Sequence, residues 1–166
     1  DRIKMKKIPL TQGYFAIVDD SDFDMLNRVK WHANKGHNTF YAQRSVLQEN
    51  GKWKNVQMHR VILGVHDPKI QVDHINGDGL DNRRCNLRSC TRSENMQNQQ
   101  IHKNNTSGRK GVHWNSNVEK FHAQIAKNGK RIYLGLFNDL ESAAKAYDKA
   151  ALLHHKGFAH PNHTEK

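Results

Sequence analysis

The chain has 166 residues, with 27 lysines and arginines against 16 acidic residues, a formal net charge of +11 and a pI near 9.8. This excess of positive charge is shared by both halves and favours a polyanion as the partner. Two cysteines five positions apart exclude a disulfide framework, and no apolar run is long enough to cross a membrane.

The N-terminal part predicts a small α+β unit. Met5 opens MKKIPLTQG, a natural chain start, so we expect the four residues before it to be foreign to the protein. The segment 8–18 predicts two strands that turn at Gln12 and Gly13. A helix capped by Asp20 or Ser21 is expected to run through Trp31.

A hairpin is predicted next, with strands at 39–47 and 53–57 and a turn at Asn50-Gly51, a strong two-residue hairpin signal. Five basic side chains occur in this part of the chain: Lys30, Lys35, Arg44, Lys52 and Lys54. Surface lysines are often only solvated, so two hypotheses stay open: the unit contacts DNA, or it supports the segment that follows.

The segment 72–95, VDHINGDGLDNRRCNLRSCTRSEN, is dense in polar side chains and has few apolar residues for a core, which favours a site over a scaffold. Asp73 and Asn95 carry oxygen ligands suited to Mg²⁺ or Mn²⁺. His74 follows Asp73 and can point to the other side of a strand, where an ordinary imidazole pKa suits a general base.

Other interpretations of this segment are weaker. An Asp-His pair before a Gly-rich turn is common in loops, but Asp73, His74, Asn82, Asn86, Leu87 and Asn95 together favour a site. An EF-hand is excluded because Ile75 stands where an oxygen ligand belongs. A zinc knuckle is excluded because Cys85 and Cys90 have no second cysteine pair.

The order Asp-His, loop, Asn-Leu and helix resembles the HNH (ββα-metal) endonucleases, especially the homing enzymes of phage introns. The resemblance implies that Asp73 and Asn95 bind the metal, His74 is the general base and Asn86 braces the loop and the base. The last position is Asn95 where the basic pattern has His, which favours one Mg²⁺ or Mn²⁺ over Zn²⁺ or Ni²⁺.

Basic residues flank this segment on both sides. MHRVILG, residues 58–64, resembles the His-Arg pair of the same subgroup, which makes Arg60 a candidate phosphate contact. For His59, a helix that packs beneath the site through Val61 and Ile62 is an equal alternative. Four further arginines suit a surface that contacts the DNA backbone: Arg83, Arg84, Arg88 and Arg92.

The polar segment 97–109 predicts a linker able to lie extended along DNA. Three strands are then predicted at 110–114, 120–126 and 131–137, with a hairpin turn at Asn128-Gly129. The helix after them is expected to have Asn138 as its N-cap, Glu141 as the partner in a capping box, an apolar stripe, and Gly157 at its end.

Residues 109–160, with YLGLF followed by ESAAKAYDKAA, resemble the AP2 DNA-binding domain, whose sheet enters the major groove. The resemblance implies a set of DNA-facing residues: Lys110, His113, Trp114, Gln124, Lys130, Arg131 and Tyr133. Ala126 stands where that family often has arginine, so base preference does not transfer. A two-stranded ribbon in the major groove is physically reasonable.

The predicted fold class is α+β: an N-terminal α+β region at 5–57, a ββα-metal nuclease module at 58–100, a linker at 101–109 and an AP2-like domain at 110–160. The predicted function is a site-selective, metal-dependent homing endonuclease that nicks double-stranded DNA as a monomer in the cytoplasm of a bacterial host, associated with the nucleoid. The alternatives are a non-cleaving, sequence-specific DNA-binding regulator and, with less support, an RNA-binding protein.

Overall fold

A computed structural model describes residues 4–98, 101 and 104–163 of the chain. The chain forms two compact units, residues 1–91 and 92–166. The division falls inside the segment 58–100 that the sequence assigns to the nuclease module, and the predicted module boundaries stay a prediction.

The first unit opens with an antiparallel pair, β1 (Met5–Pro9) and β2 (Phe15–Asp19), as predicted. The turn between them contains Gln12, at φ 63°, and Gly13, at φ 76°. Ile8 and its partner Ala16 are both buried, so one face of the pair lies on the core.

The first helix is shorter than predicted. Helix α1 (Asp20–Asn27) follows Asp19 as its N-cap residue and ends four residues before Trp31. Trp31 is buried outside the helix, and its indole N–H donates to the carbonyl of Leu26 at 2.9 Å. The helix ends early because β3 begins at His32, directly after Trp31, and the chain must leave the helix to place the Trp31 side chain in the core.

A three-stranded antiparallel sheet follows, with β3 (His32–Lys35), β4 (Phe40–Leu47) and β5 (Trp53–Gln57) in that order. The predicted hairpin between β4 and β5 is confirmed, and Gly51 in its turn has φ 75°. Strand β3 was not predicted, because its four residues, HANK, show no apolar alternation.

Helix α2 (Met58–Leu63) then leads to the strand pair β6 (Gln71–His74) and β7 (Leu87–Cys90). Gly64 caps α2 in the left-handed conformation at φ 65°. Ile8, Met58 and Leu87 belong to one buried cluster, so the N-terminal strands and the strands of the site share a core. Met58 and Ile62 are buried, which confirms that α2 packs its apolar face inward.

The second unit begins with α3 (Arg92–Asn98), so the start of the predicted linker is helical. Within the rest of it, Ser107 Oγ donates to the carbonyl of Val112 at 2.6 Å and Asn105 Nδ2 donates to the carbonyl of Arg109 at 3.0 Å. Residues 104–109 therefore form a closed turn in place of the expected extended segment.

The three predicted C-terminal strands and the helix are confirmed with small shifts of their ends. β8 (Val112–Asn115), β9 (Lys120–Lys127) and β10 (Lys130–Phe137) form an antiparallel sheet with β9 in the middle, and α4 (Leu140–His155) packs on one face. Val112, Ala123 and Ala143 lie in its core, so small side chains allow the close approach of helix and sheet.

Both predicted caps of α4 are wrong by one residue. Asp139 is the N-cap, and its carboxylate accepts hydrogen bonds from the backbone N–H and the hydroxyl of Ser142, both at 2.8 Å. The pKa of the Asp139 carboxyl is lowered, mainly by the hydrogen bond from the Ser142 backbone N–H. At the other end the C-cap residue is Lys156, at φ 47° and ψ −124°, so the positive φ expected of Gly157 occurs one residue earlier.

No helix in the described part of the chain has the length and apolar character needed to span a bilayer.

We expect Asp139→Ala to lower the melting temperature of the second unit by roughly 5 °C, because two hydrogen bonds at the start of α4 are lost. Thermal unfolding followed by circular dichroism measures the change. Asn138→Ala is the matched control and should leave stability almost unchanged; equal losses in the two variants would contradict the assignment of the cap.

Candidate nuclease site

The strand pair β6–β7 presents the acid and the histidine of the predicted site. Asp73 lies opposite Arg88 and His74 lies opposite Leu87 in the antiparallel register. Successive side chains of a strand point to opposite faces, so the carboxylate and the imidazole project in different directions, as the sequence predicts. Both residues are buried, at 6% and 5% exposure.

The Asp73 carboxylate is held by its cross-strand neighbour. Arg88 Nε donates to Asp73 Oδ2 at 2.8 Å, and Nη2 of the same guanidinium lies 2.7 Å from that oxygen. The pair is largely shielded from water, with side-chain exposures of 18% for Arg88 and 6% for Asp73. A charge-assisted pair of this kind fixes the direction in which the carboxylate points.

The imidazole of His74 is oriented by Asn82, which is completely buried. His74 Nε2 lies 3.4 Å from Asn82 Oδ1, while Asn82 Nδ2 donates to the carbonyl of Gly79, also at 3.4 Å. The amide oxygen therefore faces the ring and accepts from Nε2–H. In this tautomer Nδ1 carries the lone pair and can accept a proton.

Burial lowers the pKa of His74, and this effect exceeds the opposing effects of the Asn82 hydrogen bond and the Asp73 charge. The imidazole is therefore neutral at pH 7. Only the neutral form can accept a proton, so the environment leaves His74 in the state that a general base requires.

Two further aromatic rings contact His74. His59, on α2, is 4% exposed and meets His74 nearly at right angles, with ring centroids 5.0 Å apart. Tyr41, on β4, has its ring centroid 5.9 Å from His59 and 5.8 Å from His74. Burial, together with the nearby His74 and Arg60, lowers the pKa of His59 to about 3.

Asn86 was predicted to brace both the loop and His74, and its side chain does hold the loop between β6 and β7. Asn86 Oδ1 accepts from the backbone N–H of Asn76 at 3.0 Å, and Asn86 Nδ2 donates to the carbonyl of Asp81 at 2.8 Å. Strand β2 holds the same loop, because Asn82 N–H donates to the carbonyl of Ile17 at 2.7 Å. The asparagine seen in contact with the His74 imidazole is Asn82.

Most arginines predicted to bind phosphate make contacts within the first unit. Arg60 donates to the carbonyls of Ile70 and Asp67, each at 2.7 Å. Arg83 forms a two-point ion pair with Asp81, and Arg84 forms one with Asp22, at distances of 2.6–2.8 Å. These carboxylates raise the pKa of both guanidinium groups. Arg60, Arg83, Arg84 and Arg88 thus hold the loops around the site, and their contact with DNA stays a prediction.

Asn95 and Arg92 lie on α3 in the second unit, where Asn95 is half-buried and Arg92 is exposed. The role of Asn95 as the second metal ligand stays a prediction. In the described residues no three His, Cys, Asp or Glu side chains cluster so that they could hold a metal. The carboxylate of Asp73 and the amide of Asn95 are oxygen donors of the kind that Mg²⁺ and Mn²⁺ prefer.

The C-terminal candidates occupy several positions on their own sheet. Gln124 and Tyr133 are register partners, and His113 pairs with His122, so these side chains share the face opposite α4. His122 stacks on Tyr133, with centroids 5.0 Å apart and an interplanar angle of 23°. Lys130 and Arg131 are exposed at the start of β10.

Two candidates lie elsewhere. Trp114 pairs with Phe121, which packs against the core, so Trp114 lies at the edge of the helix-side face. Lys110 Nζ donates to the carbonyl of Gln97 at 2.7 Å, and burial lowers its pKa to about 8. Contact of either residue with DNA is again a prediction.

The sequence alone did not predict that the Tyr41 ring contacts His74, or that Asn82 orients the His74 imidazole. Tyr41 lies more than thirty residues before His74, and no local pattern connects them. For His59, the sequence left two interpretations open: a residue of the site, or part of a helix whose apolar face packs beneath it. Only the packing of α2 and β4 against β6 brings the three rings together.

A family model described as HNH endonuclease matches residues 45–97, which include α2, both strands of the site and the loop between them. The chain therefore carries the sequence pattern of a DNA-cutting class of enzyme around Asp73 and His74.

Two relatives extend the match. An uncharacterised HNH endonuclease of Acanthamoeba polyphaga mimivirus is 31% identical over 156 residues, covering 91% of this chain and 76% of that protein. Protein 3.8 of Escherichia phage T7 is 30% identical over 101 residues, covering 61% of this chain and 84% of that protein. The chain belongs to the HNH endonuclease family and is a DNA endonuclease.

The buried His59 should make the first unit acid-sensitive. The pKa of His59 in the folded protein, about 3, lies below the value near 6.5 in the unfolded chain. The stability that the neutral His59 contributes is therefore fully present above pH 6.5 and is lost as the pH falls toward 3. Between pH 7 and pH 4 the wild-type protein should lose about 3 kcal/mol more than His59→Phe, which cannot bind the proton.

Urea unfolding followed by tryptophan fluorescence measures this difference, because Trp31 is buried in the first unit. The exposed His66 supplies the control: His66→Phe should keep the wild-type pH dependence. Identical pH slopes for the wild type and His59→Phe would show that His59 does not titrate across this transition.

Proposed function

We propose that the protein is a site-selective, metal-dependent endonuclease of the phage homing type, which nicks one strand of double-stranded DNA as a monomer. The observation that carries this proposal is the position of His74: a buried imidazole whose Nε2 faces Asn82, next to Asp73 on the same strand. The origin of the two relatives in a phage and a giant virus supports the viral setting.

In the proposed reaction His74 Nδ1 accepts a proton from the attacking water as the new phosphorus–oxygen bond forms. The bond to the 3′ oxygen of the leaving strand breaks, and that oxygen takes a proton from solvent water to become a hydroxyl. Asn82 keeps the Nε2 proton in place, so the added proton has one destination on the ring. Asn86 contributes indirectly, because it fixes the loop that carries Asn82.

Asp73 and Asn95 are the proposed ligands of one Mg²⁺ or Mn²⁺. A bound divalent cation neutralises negative charge that develops on the scissile phosphate and the leaving oxygen. The Asp73 carboxylate is directed by Arg88, and carboxylate and amide oxygens are hard ligands.

The sheet of the second unit is the proposed AP2-like DNA-binding surface. Its face opposite α4 carries His113, Gln124 and Tyr133, and the exposed Lys130 and Arg131 lie at the start of the edge strand β10. Hydrogen-bonding side chains on a three-stranded sheet can contact base edges in the major groove, and the basic residues can contact phosphates.

His74→Ala should lose about 10²-fold or more in the rate of plasmid nicking with Mn²⁺, the usual scale for loss of a general base. DNA affinity, measured by fluorescence anisotropy, should stay close to that of the wild type, since the ring does not contact phosphate in this proposal.

His66→Ala, which removes an exposed histidine from a loop, is the matched control and should nick at the wild-type rate. Nicking by His74→Ala at the wild-type rate would rule out His74 as the base. A wild-type protein that binds DNA but relaxes no plasmid, with or without EDTA, would favour the regulator that binds without cutting.

Lys130→Ala and Arg131→Ala should each reduce the slope of log affinity against log salt concentration by about one unit, because each removes one phosphate contact. Lys149→Ala is the control, because Lys149 is an exposed lysine on α4, the helix that packs on the other face of the sheet. An unchanged slope in both test variants would exclude this edge of the sheet from the DNA interface.

A further inference from the structure

The first unit contains a cluster of three rings, formed by the half-buried Tyr41 and the buried His59 and His74. His59 meets both of the others nearly at right angles, at 73° to Tyr41 and 85° to His74, and Tyr41 also contacts His74 directly. Each ring comes from a different element, β4, α2 and β6. The cluster therefore links the orientation of His74 to the packing of the whole unit.

Tyr41 is itself tightly enclosed. A Cβ atom added at Gly36 or at Gly79 would lie 2.6 Å from a carbon of the Tyr41 ring, so both positions leave room only for glycine. Thr39 Oγ1 accepts from the Gly79 N–H at 3.0 Å, which ties the loop of the site to β4 beside this ring. Tyr41 is thus a firm support for the ring of His59.

The chemistry of His59 favours a role for its shape over a role for its nitrogen atoms. Its Nδ1 is buried and has no hydrogen-bond partner in the described part of the chain, which costs free energy. An aliphatic residue would fill the space without that cost. A planar ring gives what an aliphatic side chain cannot, namely an aromatic contact of defined angle with His74.

Asn82 and His59 constrain His74 in different ways. The His74–Asn82 bond selects which nitrogen faces the amide oxygen, but at 3.4 Å it is longer than the usual distance of about 2.9–3.0 Å and by itself constrains the plane of the ring less than a shorter bond would. A proton acceptor works only when its lone pair points at the attacking water, and small errors in position reduce the rate steeply.

We propose that His59, supported by Tyr41, is a positioning residue for His74: its ring fixes the plane of the His74 imidazole so that Nδ1 faces the attacking water. This inference rests on the proposed function of His74 as the general base. His59 itself does not contact the substrate.

Single-turnover nicking and DNA affinity, measured with plasmid and Mn²⁺, test the proposal. His59→Leu and His59→Met keep the apolar volume without the ring, and they should nick about tenfold to a hundredfold more slowly with little change in affinity. His59→Phe restores the planar ring and should recover most of the rate. Nicking at the wild-type rate by either aliphatic variant would overturn the proposal.

Val61→Ala is the control for a general loss of stability, because Val61 packs against the same core from the same helix without belonging to the ring cluster. It should nick at the wild-type rate well below its melting temperature. If Val61→Ala and His59→Leu are slowed equally, His59 acts only through the fold and the proposal is overturned.

A measurement without DNA separates the inference from the proposed function. Long-range ¹H–¹⁵N spectra report histidine tautomers, and the His74 signals are assigned by their loss in His74→Ala. The wild type and His59→Phe should show one tautomer with the proton on Nε2, and His59→Leu a mixture. One unchanged tautomer in His59→Leu would overturn the inference, whereas full nicking by His74→Ala would instead refute the proposed base.

Discussion

The burial of one neutral imidazole is the constraint on which the first unit depends. His74 is placed at the end of a short strand, and its Nε2 faces an asparagine that is itself completely buried. Burial removes the water that would stabilise the charged form, and the structure must then provide a partner for Nε2–H. The loop of the site, strand β2 and helix α2 are all arranged around this requirement.

Much of the polar chemistry near the site holds the protein together. Asp81 with Arg83, Asp22 with Arg84 and Asp73 with Arg88 are ion pairs that close loops or strands around the imidazole. A sequence rich in arginine beside a nuclease motif suggests contact with DNA, but a small domain with few apolar residues in this segment also needs such pairs to order its backbone. The structure shows these arginines in the second role, each paired with a carboxylate of the first unit.

The second unit is built on a different principle. Small alanines let α4 lie close to the sheet, and the opposite face of the sheet is covered by a row of polar and aromatic side chains. Its C-terminal segment is fixed by Asp148, whose carboxylate accepts from the backbone N–H groups of Asn162 and His163 at 2.6 and 3.0 Å. The face of the sheet opposite α4 therefore presents side chains of its own strands and, among the described residues, is not packed against a helix of this unit.

The sequence by itself determined the local features: the Asn50-Gly51 and Asn128-Gly129 hairpins, the strands flanking them, and the adjacency of Asp73 and His74. These features depend on the residues of a two-residue turn and on alternation of apolar and polar residues, and both signals lie within a few consecutive residues of the chain. Only the tertiary structure decided that Asn82 orients the imidazole, that Tyr41 and His59 enclose it, and that Arg88 pairs with Asp73. Each of these contacts joins residues that no local periodicity relates, so they arise from the packing of separate elements around one core.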